Sequence, residues 1–169
     1  MRAHPRLLAL LLLPSAACVV HLWPESADPA REAEERERDA CPIAPEYPPG
    51  LFDPRNTRDV EPLYATVQSG RSGEAVHLIG VTLRVHLPLG TTSENVASLL
   101  TCHNARRELR REGEPAPVDD PYWVPGRRLT ISTEFEKGIL RVLVRTDDFE
   151  TAKELLRRAT AFQKAGLST

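Results

Sequence analysis

The chain has 169 residues, of which 41% are apolar and 27% charged, a globular composition that argues against wholesale disorder and against a polytopic membrane protein. Fifteen prolines against only four Phe, two Trp and three Tyr indicate a modest core with much irregular chain, which excludes a large enzyme. The net charge of -2 conceals a segregation, because residues 25–61 carry eleven acids against five arginines while residues 62–169 are nearly neutral. We therefore expect an acidic tether followed by a folded domain.

Residues 1–17 have the pattern of an export signal. Arg2 and Arg6 precede an apolar run at residues 7–13, and Pro14 with three small residues then leads to Cys18. The run is too short for a membrane span, which needs about 20 apolar residues. We expect the chain to cross the membrane and to be cut.

The small residues before Cys18 resemble the lipobox of bacterial lipoproteins. The resemblance implies that Cys18 becomes the new N-terminus and carries lipid, including palmitate. Val19 at the next position resembles the residue found in lipoproteins that are sorted to the outer membrane. Several acyl chains on one cysteine give stable anchoring. Ordinary cleavage after Ala17, which would release a soluble protein, is the alternative.

Beyond its signal, the whole chain resembles the uncharacterised small exported lipoproteins of Gram-negative bacteria. The resemblance rests on Cys18, on the acidic segment ending at Cys41, on residues 53–61, on the Leu-Leu-x-Cys-His-x-Ala-Arg run at residues 99–106 and on Leu-Leu-Arg-Arg-Ala at residues 155–159. It implies a location facing the periplasm and no particular activity.

The cysteine count agrees with this interpretation. Lipidation of Cys18 leaves Cys41 and Cys102, an even number in an oxidising compartment, and predicts a disulfide between them. Two free buried thiols or a metal site are the alternatives.

Residues 18–41 are predicted to form the anchor and an acidic helical tether, and residues 42–61 a proline-rich linker. Asp28 is a suitable N-cap before Pro29. Only alanines are apolar in this helix, so we expect a solvated stalk. The linker should be extended because each proline removes a donor and restricts its predecessor, with Tyr47, Leu51 and Phe52 as its apolar anchors.

Residues 62–169 are predicted to fold as an α+β domain. Period-two patterns indicate hairpins with turns at residues 69–73 and 136–138, and helices are expected after the capping residues Thr91 and Asp147. The order hairpin, helix, hairpin, helix is a doubled ββα unit, in which two helices cover one face of a four-stranded antiparallel sheet. In the second strand, the side chains predicted to face the core are those of His77, Ile79, Val81, Leu83 and Val85. In the last helix, they are those of Phe149, Ala152, Leu155, Leu156, Ala159 and Phe162.

His103 is the most unusual candidate for chemistry, because it follows Leu99 and Leu100 on an apolar helix stripe, with Cys102 beside it. One interpretation is a histidine at the edge of the core, bonded to a backbone carbonyl or a linker side chain. The other is a metal or small-ligand site of His103, His77 and Cys102. Their spacing lacks the HxxxH or CxxC pattern typical of metal sites.

Two further sets of residues are candidates for partner binding. Arg106 and Arg110 extend the same helix with positive charge, which could pair with the acidic tether or with anionic headgroups. Tyr122 and Trp123 lie in the long segment 113–127, either as partner anchors or folded back onto the core.

The sequence favours a non-enzymatic protein. It has no Gly-x-Ser-x-Gly elbow and no phosphate-binding glycine loop, and adjacent helical residues such as Cys102 and His103 do not face each other as a catalytic pair. The domain lacks a broad basic footprint for nucleic acid. We expect no cofactor, a membrane contact through Cys18 and an envelope protein as possible partner, with a periplasmic metal or small-ligand binder as the alternative.

Overall fold

The structure, a computed structural model, describes residues 28–42, 46–68, 74–88, 90–109 and 120–168. The signal peptide, Cys18 and Arg110 lie outside the described residues. Within them the chain forms three α-helices, a short 3-10 turn at Pro54–Asn56 and a four-stranded antiparallel sheet. The elements in chain order are α1 (Pro29–Ala40), β1 (Thr57–Gln68), β2 (Glu74–Val85), α2 (Ser93–Glu108), β3 (Thr130–Glu136), β4 (Ile139–Arg145) and α3 (Phe149–Leu167).

The sheet has the order β1-β2-β4-β3, so the two hairpins meet at their inner strands β2 and β4. The helix of each half packs on strands of the other half: α2 contacts β3, while α3 contacts β1 and β2. Such a crossed arrangement closes one core between both halves. The predicted α+β architecture, with two helices on the sheet, is confirmed.

The two faces of the sheet differ in chemistry. Paired residues share a face, so Leu83 and Val142 contribute together to the buried core. On the opposite face Arg84 pairs with Arg141 across β2 and β4. Glu61 lies 3.4 Å from Arg84, and Glu134 lies 2.7 Å from Arg141. Arg84 and Arg141 are thus neutralised within the sheet itself.

An irregularity in β2 reverses the predicted orientation of its first residues. Leu63 pairs with Gly80 and the next residue, Tyr64, with Leu78, so Ile79 is an extra residue without a partner in β1. An extra residue shifts the alternation of side chains by one position. His77, predicted on the core side, is therefore exposed.

Gly80 lies where this bulge meets β4, and a side chain does not fit there. A Cβ at this position would lie 2.0 Å from the carbonyl oxygen of Val144. We expect Gly80→Ala to lower the free energy of unfolding by about 2 kcal/mol, because the clash is with backbone rather than with a flexible side chain. Urea unfolding checks this, with Gly90→Ala as the control for backbone strain alone, since Gly90 also has a positive φ but a Cβ there has no neighbour within 4 Å. Equal losses in both variants would contradict the steric explanation.

The caps of α2 and α3 lie one residue later than predicted. Thr92, not Thr91, accepts from the amide of Asn95, because the Thr91 hydroxyl already donates to the carbonyl of Pro88. Likewise Asp148, not Asp147, caps α3 through the amide of Thr151. Bonds from the hydroxyl and amide of Thr151 hold the pKa of Asp148 below its usual value.

Helix α3 buries most of its predicted stripe. Ala152, Leu155, Ala159 and Phe162 are buried and Leu156 is half-buried, but Phe149 in the first turn is 53% exposed. The prediction for Phe149 is therefore wrong.

The predicted solvated stalk is instead packed on the domain. Ala33 of α1 is fully buried, and α1 packs on α2. The Ser98 hydroxyl donates to the carbonyl of Ala40 at 2.9 Å, and a disulfide joins Cys41 to Cys102. One small side chain, rather than a stripe, is enough for this contact because the covalent bond holds the helix end in place.

The linker also belongs to the core. Leu51 is fully buried, and Tyr47 and Phe52 pack against the same cluster, as predicted for its anchors. The chain enters the sheet at Thr57 rather than near Pro62. Of the helices in the described residues, none is long and apolar enough to span a membrane.

Candidate functional site

The most chemically distinctive cluster is a buried histidine–carboxylate pair. His103 Nε2 lies 2.6 Å from Asp120 Oδ2, and both side chains are at most 1% exposed. His103 comes from the apolar side of α2, and Asp120 from the end of the long segment before β3. The interpretation of His103 as a bonded histidine of the core is confirmed, and its partner Asp120 was not among those expected from the sequence.

The other oxygen of Asp120 organises the loop that follows. Asp120 Oδ1 accepts from the amide of Tyr122 at 2.9 Å, and the Tyr122 hydroxyl donates to the carbonyl of Leu51 at 3.2 Å. Burial, and secondarily the negative Asp120, raises the pKa of Tyr122 far above its usual value, so the hydroxyl stays protonated and remains a donor. The cluster therefore bonds α2, the loop and the linker to one another.

Aromatic rings enclose this pair. The Phe52 ring centroid lies 4.8 Å from that of His103 and 5.6 Å from that of Tyr122, and Tyr47 lies 6.0 Å from His103. Apolar walls strengthen the hydrogen bonds inside and make an unpaired partner costly. A catalytic dyad needs a reacting group within reach, yet the neighbouring Cys102 is bound in the disulfide. The arrangement is that of an internal clamp.

The three residues of the metal hypothesis are not brought together. Cys102 offers no thiolate, because its sulfur is bonded to Cys41. His77 is exposed near the end of β2 that lies away from the core, whereas His103 is buried with Asp120. In the part of the chain that the structure describes, no group of three or more His, Cys, Asp or Glu residues is placed to hold a metal ion.

The residues predicted to bind a partner have internal roles instead. Arg106 lies 3.4 Å from Glu37 of α1, which confirms its pairing with the acidic tether. Tyr122 is fully buried, so it is not a surface anchor. Trp123 is folded back, with the Arg107 guanidinium 4.3 Å from its ring centroid. Arg110, predicted with them, lies outside the described residues.

Two adjacent grooves form the open surface nearest to the end of β4, and both include Arg145. The larger is a cleft of about 800 Å³ that also contains Arg127, Arg128 and Asp148. Asp148 lies 3.8 Å from Arg127 in this cleft, and Glu32 of α1 lies 3.6 Å from Arg128. The arginines of the loop are therefore already matched by carboxylates.

The smaller groove, of about 410 Å³, is more apolar and was not anticipated from the sequence. Its lining includes His77, Leu78, Ile79, Arg145 and Phe149. Nothing in the period-two pattern signalled it, because the groove arises where β4 ends while β2 continues. Asp120 was also missed, since the sequence shows its carboxylate but not the histidine that it meets.

The fold and these sites define an α+β protein with an internally clamped, disulfide-linked domain. Comparisons with family models, with curated proteins and with solved structures give no match to this chain.

Proposed function

We propose that this chain is a lipid-anchored protein of the cell envelope, exported, held by Cys18 in the outer membrane and facing the periplasm, with a non-enzymatic binding role. The observation that carries the proposal is the disulfide between Cys41 and Cys102. It joins the segment that follows the anchor to the folded domain.

The disulfide supports export because such bonds persist in oxidising compartments and are rare in the cytosol. The pairing also uses the two cysteines left once Cys18 is assigned to lipid. The compartment and the cysteine count therefore favour the same location.

The packing of α1 supports a rigid presentation of the domain. Beside the disulfide, Glu37 pairs with Arg106 of α2, and Glu32 lies near Arg128 in the loop before β3. The more exposed pair, Glu32 with Arg128, contributes about 0–1 kcal/mol, but both pairs orient the helix along the domain. A domain fixed to its tether in this way meets a partner in a defined orientation.

A binding role is favoured over catalysis because the polar cluster of the domain is enclosed. His103 and Asp120 satisfy each other in the core, and neither lines the two grooves at the end of β4. The accessible chemistry lies instead in those grooves.

The anchor is tested by the intact mass of the native protein extracted from membranes, before and after reduction. We expect a chain that starts at Cys18, carries several acyl chains and gains the mass of two hydrogen atoms on reduction. Cys18→Ala should move the protein from the membrane to the soluble fraction without affecting that gain. An unlipidated chain starting after Ala17 in the wild-type protein would contradict the anchor, and two free thiols would contradict the locked tether.

A further inference from the structure

In the described part of the chain, one side of strand β2 has no neighbouring strand over part of its length. Strand β2 pairs with β4 from Gly80 to Val85, whereas residues 74–78 pair with β1 alone. One more bond, from the amide of Thr146 to the carbonyl of Ile79 at 2.9 Å, continues the ladder before the chain turns into α3. Beyond it, the described residues supply no strand next to this edge.

The two-stranded part of the β1–β2 hairpin is also unusually apolar for an exposed ribbon. Val76 is 69% exposed and Tyr64 57%. A two-stranded ribbon is marginal in water unless it packs on something. Free strand edges are commonly blunted by charge or by proline, but residues 74–78 are Glu, Ala, Val, His and Leu, with a single formal charge and no proline.

The apolar groove of about 410 Å³ lies beside this edge, between the hairpin and the start of α3. Leu78 and Ile79 line it from β2, and the exposed Phe149 lines it from α3. Arg145 stands in the groove with no ion-pair or hydrogen-bond partner among the described residues. The groove thus offers main-chain groups on one wall, an apolar wall and the unpaired Arg145, with the carboxylate of Asp147 also in its lining.

These features select an extended polypeptide as occupant. Only a strand supplies alternating main-chain donors and acceptors to a strand edge, and it would place an alternate side chain over Phe149. A second copy of the chain carries the same edge at residues 74–78, and the test below distinguishes it from a different polypeptide by the mass of the adduct. We infer that residues 74–78 and the groove beside them bind an extended segment of a partner protein by strand addition, with an apolar side chain on Phe149 and a carboxylate near Arg145. This inference names the partner class for the binding role proposed above and does not depend on the lipid.

The test is a photo-crosslinking amino acid placed at Val76 of the full chain in its native cells, with Leu167 as the matched control, since Leu167 is 80% exposed at the far end of α3. We expect one discrete adduct with a different polypeptide from Val76 and none from Leu167. The adduct should fall at least fivefold with Phe149→Ala or Arg145→Glu, both exposed changes that leave the core intact. A synthetic peptide of the crosslinked segment should then slow amide hydrogen exchange at residues 74–78.

Four outcomes overturn the inference: no adduct above the Leu167 level, an adduct of twice the chain mass, a crosslink within the chain, or an adduct indifferent to both groove variants. Failure of the anchor is seen separately in the mass at Cys18, so either proposal can fail alone.

Discussion

Asp120→Ala is expected to lower the free energy of unfolding by about 4 kcal/mol, a larger loss than that expected for Gly80→Ala. The change leaves His103 buried without its partner at 2.6 Å and removes the acceptor for the Tyr122 amide. An orphaned buried polar group costs about 1–3 kcal/mol, and this change removes one bond each from His103 and from the Tyr122 amide. Urea unfolding of the oxidised protein measures the loss.

A double-mutant cycle separates the pair from general damage to the core. His103→Leu and Asp120→Leu should each destabilise strongly, whereas the double variant should lose less than the sum, because the bond between His103 and Asp120 is lost in either single variant and is counted twice in the sum. Asp147→Ala is the control, since Asp147 is exposed, and should change the stability by less than about 0.5 kcal/mol. Additive losses in the cycle would show that His103 and Asp120 do not act as a pair.

The elements that could be predicted are those specified by local periodicity. Alternation around Leu140, Val142 and Val144 gives the second hairpin, and the helical stripe containing Leu155 and Ala159 gives α3. In both patterns, the spacing of apolar residues within a short stretch of sequence indicates which side chains face the core. The fold class follows from the order of these elements.

What escaped prediction depends on contacts between distant residues or on one inserted residue. The extra residue Ile79 reverses the orientation of His77, and nothing in the alternation of β2 marks the insertion. Asp120 meets His103 across a segment whose path the sequence does not specify. Ala33 is buried where α1 packs on α2 beside the disulfide, a tertiary contact that helix amphipathicity does not reveal.

The disulfide is the second feature with a large expected effect. Replacing both Cys41 and Cys102 by alanine should lower the free energy of unfolding by about 4 kcal/mol, because the bond closes a loop between residues 61 apart and restricts the unfolded chain. Domains of this size have about 5–15 kcal/mol in total, so the loss is a large share. Urea unfolding of oxidised wild type and of the double variant measures it, and a loss below about 1 kcal/mol would contradict the loop-closure explanation.

The contributions of the disulfide and of the α1–α2 packing to stability can be separated with variants that change only the packing. Ala33→Glu places a charge in the α1–α2 contact but leaves the disulfide closed, so α1 amides should exchange faster while the global stability falls much less than without the bond. Ser98→Ala, which removes only the hydrogen bond to Ala40, is the matched mild change. If Ala33→Glu costs as much as losing the disulfide, the packing of α1 rather than the covalent bond stabilises the domain. If it costs less, the bond holds the tether to the domain even when α1 opens.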